Sequence, residues 1–490
     1  MPWFEFATLL IYLAVLSALA IYGLHRYHLV LLHRHHRGDA VQVIDTFSTE
    51  PVVTVQLPLF NERYVAERLI RAVCAMDWPR DRLEIQVLDD STDDTCEIVA
   101  GIAEELRAAG HDIHHIHRTD RTGFKAGALD AGLARARGEF IAIFDADFVP
   151  PPDLLRRTVP HFTDRRIGLI QVRWDHLNRE HSLLTRIQGL MLDGHFVVEH
   201  TARHRSGRFF NFNGTAGLWR RQCIEAAGGW QHDTLTEDLD LSYRAQLAGW
   251  QFLYRPDLTA PAELPAEINA FKSQQHRWTK GSIQTGLKLL PAIWRARQPL
   301  RVKAEATFHL TDNLSYLLML VLSLLMGPVL FIRHAHGLNW FYLVDLPLFL
   351  SATMSVAAFY LCAMSEIDGG RRQRALLLPA LMAMGIGLCV NNARAVIEAL
   401  LGHDSPFVRT PKHCIEGRRA RWTHLRYRAA VNALPALEVG LGLWFFFLCV
   451  CATLFGQWLA LPFLALFTAG FLMVGLMSIG QRTLLRWRHS

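Results

Sequence analysis

Apolar and polar positions divide the chain into two kinds of stretch. Between residues 51 and 260, short runs rich in β-branched and aromatic residues alternate with helical patterns. Val52–Leu57, Glu84–Leu88, Asp112–His117, Glu139–Phe144 and Gly168–Val172 predict strands. Glu62–Met76, Asp94–Ala109 and Gly123–Arg137 predict the helices between them. Such alternation predicts an α/β domain with a mainly parallel sheet and helices on both faces. Ligands of such sheets sit outside the carboxyl ends of the strands. No GxGxxG motif follows a strand, so dinucleotide binding has no support.

The second kind of stretch is long and apolar. Ala7–Leu24 is just long enough to span a bilayer. Its basic residues follow it rather than precede it, which predicts an uncleaved anchor with the N-terminus outside instead of a signal peptide. Four later runs, near 310–332, 341–363, 434–455 and 457–480, are also long enough. Ala375–Leu401 is interrupted by Asn391, Asn392, Arg394 and Glu398, and its full crossing would put the basic stretch Arg409–Arg428 outside. An interfacial or re-entrant helix there keeps every basic loop inside, giving five spans and a cytoplasmic C-terminus. Ser182–His204 and the segment around Phe271–Leu290 are amphipathic at helical spacing, as core-facing or interfacial helices are. The resulting division is an anchor and basic segment (1–44), a cytosolic domain with interfacial helices (45–305), and an α-helical transmembrane region (306–490) containing the loop 403–430.

Composition fits this split: 51% of residues are apolar, yet 20% are charged. The net charge of +6 gathers at His25–Arg37, Arg371–Arg374, Arg418–Arg428 and Arg482–His489. Each cluster abuts an apolar run, so the clusters read as cytoplasmic loops rather than as a nucleic-acid surface. Eight cysteines without a CxxC pair predict free thiols. His111, His114, His115 and His117 have no clear ligand spacing and read as strand and loop surface. Asn213-Gly214-Thr215 matches a glycosylation acceptor pattern, a chance match in a cytosolic domain.

Candidate chemistry lies at the predicted strand ends. Asp145-Ala146-Asp147 leaves an apolar strand with two carboxylates that can share a hard cation. Asp89-Asp90 is a second acidic strand end, or the cap of the helix that follows. Lys125 sits near a helix start, where a diphosphate finds a cation and backbone N–H groups. Glu237 and Asp238 precede the predicted helix Leu239–Ala248, and Asp238 is a candidate general base for an acceptor hydroxyl. Gln274, Arg277 and Trp278 fall on about one helical turn. The first two can hold a leaving diphosphate, and the indole can stack on a sugar.

QVLDDSTDDT, KAGAL, FDADF, FNGTAG, TEDLDLSYR and QQHRW occur in that order. Over roughly residues 45–430 they resemble the processive, membrane-integrated inverting glycosyltransferases of family 2. Within that group the chain is most similar to the cellulose-synthase-like glucomannan and mannan synthases and bacterial relatives. The resemblance implies a GT-A-like nucleotide-sugar-binding domain that polymerises a β-linked glucan, mannan or glucomannan and translocates it. UDP-glucose or GDP-mannose is the implied donor, a growing glycan the acceptor, and Mg²⁺ or Mn²⁺ the cofactor. By the same resemblance Asp89 and Asp90 contact the nucleoside, Lys125 the diphosphate, and Asp145 and Asp147 the nucleotide and metal. Asn213, Gly214 and Thr215 line the acceptor side, Asp238 is the base with Glu237 beside it, and Gln274, Arg277 and Trp278 hold pyrophosphate and acceptor sugar. Phe407-Val408-Arg409-Thr410-Pro411-Lys412 is similar to the family's gating loop, with Thr410 and Lys412 on the nucleotide. The expected setting is a bacterial inner membrane with the catalytic domain cytoplasmic. A non-processive enzyme that glycosylates a lipid carrier is the alternative, and a transporter or inactive scaffold a more distant one.

Overall fold

The computed structural model describes residues 1–39, 45–367, 374–403, 409–417 and 433–487. Seven strands form one sheet: β1 (Val53–Leu59), β2 (Leu83–Asp89), β3 (Asp112–His117), β4 (Phe140–Ile143), β5 (Ile167–His176), β6 (Gly217–Arg220) and β7 (Gln251–Ala262). Their order is β3-β2-β1-β4-β6-β5-β7. β1 pairs parallel with β2 and β4, β2 with β3, and β5 with β7, while β6 runs antiparallel to both its neighbours. The five strands expected from the pattern are all present. β6 and β7 are additional, and the four residues of β6 are too few to show a period before β4 and β5 flank them.

The sheet is covered on both faces, as strand–helix alternation predicts. Val53, Val55 and Leu57 of β1 pack with Leu69 and Ile70 of the helix Ala66–Cys74 and with Ile102 of the helix Thr95–Ala108. Ile141 and Ile143 of β4 turn the other way, toward Leu129 of the helix Phe124–Leu133 and toward Trp219 and Tyr254. The second face also buries polar groups, which pair across strands: Thr54 donates to Glu84 and Gln56 to Gln86. A buried polar group left unpaired would cost of order 1–3 kcal/mol, so these pairs help hold β1 and β2 in register.

Among the described residues, five helices are long and apolar enough to cross a membrane: Trp3–His35, Leu314–His336, Asn339–Glu366, Leu434–Leu454 and Trp458–Gln481. The stretch 375–401 contains Leu378–Gly387 and Cys389–Leu400, which meet at a 43° bend and would make a sixth crossing if counted as one span. Its Asn391 donates to the carbonyl of Lys272, and Val396 and Ala399 pack on Ile283, so the bent pair leans on the helix Ile268–Arg295. Ser182–His204 forms a helix (Leu183–Asp193), a π-helical segment (Gly194–His200) and a last helical turn (Thr201–Arg205). Leu184, Ile187 and Leu190 pack against Met364, Leu381 and Val474, making this stretch a seam between the sheet domain and the long apolar helices. The expected boundary at 305/306 falls inside the helix Leu300–Thr311. All eight cysteines are free. Phe407 and Val408, and the basic cluster Arg418–Arg428, lie outside the described residues.

Candidate active site

A cavity of about 200 Å³ opens at the carboxyl ends of β1, β2 and β4. It collects Asp90, Lys125, Asp145, Asp147, Asn213, Gly214, Glu237, Asp238, Gln274, Arg277, Trp278, Thr410 and Lys412 on one wall or another. Two of the expected residues stand behind that wall. Thr215 is fully buried, and its hydroxyl oxygen accepts from the backbone N–H of Asp145. Asp89 is 0% exposed, accepting from Ser91 N–H and paired with His115. Asp90 is the member of the pair that reaches the cavity, clamped by Arg118 through two hydrogen bonds at 2.8 and 2.6 Å.

The two carboxylates that follow β4 each face a lysine. Lys125 Nζ lies 2.6 Å from Asp145 Oδ1 and donates to the Gly214 carbonyl at 2.8 Å. Lys412 Nζ lies 2.6 Å from Asp147 Oδ2 and donates to the Glu263 carbonyl at 3.0 Å. Each lysine takes one oxygen of its partner. Among the described residues, Asp145 Oδ2 and Asp147 Oδ1 accept no hydrogen bond. Glu263 adds a buried carboxylate oxygen without a hydrogen-bond partner, beside Asp147. Such an all-oxygen set suits a hard divalent cation. Burial works against the charge of Lys125, but Asp145 and Glu237 prevail and raise its pKa.

Glu237 and Asp238 open the helix Glu237–Leu247, so both expected acids sit in its first turn rather than ahead of it. Asp238 Oδ1 accepts from Leu239 N–H at 2.8 Å, which leaves Oδ2 toward the cavity and close to Gly214. Gly214 has φ +78°, and a Cβ there would lie 3.0 Å from Asp238 Oδ2. Burial first, and the neighbouring charge of Glu237 second, push Asp238 up to about 7. The helix Ile268–Arg295 presents Gln274, Arg277 and Trp278 to the same space. Its Gly281 lets it approach Thr236, where a Cβ would stand 2.9 Å from the backbone nitrogen. Arg277 reaches Thr410 Oγ1 at 3.5 Å. Trp278 lies 6.5 Å from Trp174, ring centre to ring centre.

The described part of the basic loop, 409–417, lies against the sheet domain. Arg409 pairs with Glu62 at 3.0 Å, Lys412 with Asp147, and His413 N–H donates to Glu263 at 2.9 Å. Glu62, which burial pushes up to about 8, and Glu263 are cavity carboxylates that sequence reasoning missed. A second cavity of about 280 Å³ continues from the first toward Asp312, Asn313 and Tyr360. The two share Trp174, Asn213, Asp238, Gln274 and Trp278 on their common wall. Asn213 is locked there between His195 Nε2 (2.8 Å) and His200 Nε2 (2.6 Å), and His195 is held by Glu199 at 2.9 Å. These two histidines and Glu199 lie on the π-helical segment, which an amphipathic pattern read as plain helix.

The mixed seven-stranded sheet, with acidic groups at its strand ends, is a GT-A-like fold. Residues 51–281 match the family model described as "Glycosyltransferase like family 2", and that stretch is a family 2 glycosyltransferase domain. Over 256 residues the chain is 46% identical to glucomannan 4-beta-mannosyltransferase 2 of Arabidopsis thaliana, which covers 51% of this chain and 48% of the relative. It is 46% identical over 258 residues to glucomannan 4-beta-mannosyltransferase 1 of Oryza sativa subsp. japonica, covering 51% and 49%. The chain therefore spans about half the length of the curated relatives it matches. Among solved structures it is similar to mannosyltransferase PcManGT from Pyrobaculum calidifontis in complex with GDP-Man and Mn2+. That match has a TM-score of 0.51 and 20% identity, covers 79% of this chain and 100% of that chain, and bears on the fold.

Proposed function

We propose that the chain is an inverting glycosyltransferase that extends a β-linked mannan-type glycan from a nucleoside-diphosphate sugar. The observation that carries this reading is the position of Asp238 on the wall common to two cavities, one basic and acidic, the other reaching toward the apolar helices. A donor in the first cavity and an acceptor in the second would meet at this carboxylate. GDP-mannose is the favoured donor over UDP-glucose, because the relatives matched over the catalytic stretch are mannosyltransferases and the structural neighbour holds GDP-Man. The lipid-carrier alternative draws no support from those relatives.

In this reading Asp238 takes the proton of the acceptor hydroxyl as its oxygen attacks the anomeric carbon from the side opposite the diphosphate. The new C–O bond forms, the bond from anomeric carbon to phosphate oxygen breaks, and the nucleoside diphosphate leaves with the electron pair. Gln274, Arg277 and Lys125 face the growing negative charge of that diphosphate. Trp278, beside Trp174, carries the acceptor sugar, and Asn213 is fixed by its two histidines to hydrogen-bond it. Asp90 binds the nucleoside end, with Asp89 holding the strand end behind it. Asp145 and Asp147 would hold Mg²⁺ or Mn²⁺ through the carboxylate oxygens the lysines leave open; a bound divalent ion neutralises diphosphate charge. The loop at Arg409–Lys412 caps the nucleotide, and its cations add to that neutralisation.

Processive extension and translocation belong to the same proposal, supported by the second cavity and by five helices of spanning length. So does the topology, with the N-terminus outside and both catalytic domain and C-terminus in the cytosol. The matched relatives are plant proteins, so a bacterial inner membrane draws no support from them. Purified protein given GDP-mannose, UDP-glucose and other donors in turn, with product size and linkage determined, tests the whole reading. A β-linked mannose polymer is expected. A single-sugar lipid, or no transfer from any donor, would overturn it.

A further inference from the structure

Four side chains with metal-ligating atoms meet at the edge of the sheet, away from both cavities. His115 and His117 stand two residues apart on β3, the edge strand, and so share one face. Ile116, between them, and His114, before them, lie on the other face, and His114 pairs with Asp112. Asp89 ends the adjacent strand in register with His117. Cys96 lies in the first turn of the helix Thr95–Ala108. Asp89 Oδ2 is 2.9 Å from His115 Nε2 and 3.5 Å from His117 Nδ1, and Cys96 Sγ is 3.6 Å from the same His117 nitrogen. One ligand atom from each of the four lies within 4.8 Å of all the others.

The 3.5 and 3.6 Å separations match those of a tetrahedral site. Ligands about 2.0–2.3 Å from a zinc ion stand roughly 3.3–3.8 Å apart, so the Asp89–His115 contact would open by about 0.5 Å and the pairs not yet in contact, all within 4.8 Å, would draw in around the ion. Ser91 N–H occupies Asp89 Oδ1, which fixes Oδ2 toward the histidines. One thiolate and one carboxylate balance a 2+ charge, and two neutral imidazoles complete the set. The sulfur and the two nitrogens select a borderline transition metal over Mg²⁺. His117 is 34% exposed and Asp89 is 0% exposed, so an ion has a way in and a buried anion to meet.

We propose that Asp89, Cys96, His115 and His117 bind one divalent transition-metal ion of the zinc class, distinct from the all-oxygen set at Asp145 and Asp147. The ion would fasten the ends of β2 and β3. Arg118 N–H donates to the Asp89 carbonyl and its guanidinium clamps Asp90, so a filled site steadies the group that reaches the first cavity. Binding displaces the thiol proton to solvent.

The test is a cobalt titration of the full-length, detergent-purified protein after chelator treatment. One equivalent of Co²⁺ should give an intense visible absorption of tetrahedral type and a near-ultraviolet sulfur-to-cobalt charge-transfer band. One equivalent of Zn²⁺ should bleach both. Cys96→Ser should remove the charge-transfer band, and His117→Gln should weaken Co²⁺ binding by about tenfold or more. Asp147→Asn should leave both signals unchanged, separating this site from the diphosphate-side carboxylates. Both Cys96 and His117 are partly exposed, so either substitution tests the idea if the other reduces yield. No charge-transfer band in the wild type, or a band of unchanged strength and affinity in Cys96→Ser, overturns the proposal. Hydrogen bonding among the four residues would then be their whole role.

Discussion

Asp238→Asn removes the proposed base with the least change of shape. The asparagine Oδ1 can still accept from Leu239 N–H, where Asp238 Oδ1 now accepts at 2.8 Å, so the helix start at Glu237 should be kept. General-base catalysis contributes about 10²–10⁴-fold, so transfer should fall by that factor, or about 2.7–5.5 kcal/mol of barrier. Donor binding, which the proposal assigns to Lys125, Asp90 and Arg277, should persist within a few-fold. The wild type supplies an independent signature. With Asp238 near 7, the ionised, basic form is lost as pH falls through that value. At pH 6 about one molecule in eleven keeps it, against about ten in eleven at pH 8, so kcat/KM should drop roughly tenfold between them. Glu237→Gln removes the second cause of the raised pKa and should move this acid limb to lower pH. The assay is initial rate of sugar incorporation against pH for wild type and both variants, with donor affinity measured separately. If Asp238→Asn turns over at near wild-type rate, or the acid limb survives in it unchanged, Asp238 is not the base.

Three further expectations concern the surroundings of that carboxylate. Chelator should abolish transfer and Mg²⁺ or Mn²⁺ restore it, with Asp147→Asn raising the metal concentration needed; full activity in excess chelator would leave Asp145 and Asp147 a purely lysine-paired, structural role. Combined alanine substitution of Phe407, Thr410 and Lys412 should cost donor affinity and transfer while membrane insertion is kept, because it removes the Lys412 contact to Asp147 and the Thr410 contact to Arg277; unchanged kinetics would mean the loop is no lid. A cysteine at Lys412 should be labelled only from the cytosolic side, whereas labelling from outside would mean that the bent pair Leu378–Gly387 and Cys389–Leu400 crosses fully.

The sequence by itself determined the elements whose signal is local. Alternating β-branched runs located β1 to β5, and long apolar runs located the helices long and apolar enough to cross a membrane, because period and length are properties of a single segment. Motif order likewise marked Asp145, Asp147, Asp238, Gln274, Arg277 and Trp278, all of which line the first cavity. Tertiary structure alone decided what depends on residues distant in the chain. β6 is a strand only because β4 and β5 flank it. Asp89 and Asp90, indistinguishable as a pair, part company because one is buried against the histidines of β3 and the other reaches the cavity. Glu62 and Glu263 become cavity acids only when the loop 409–417 folds over them, and Lys412 finds Asp147 from 265 positions away. His115 and His117 carry no ligand spacing in sequence. The parallel pairing of β2 with β3 brings Asp89 to them, and the turn into the next helix brings Cys96. A linear pattern cannot encode such a meeting, because the pairing distance is set by sheet register and helix packing rather than by separation along the chain.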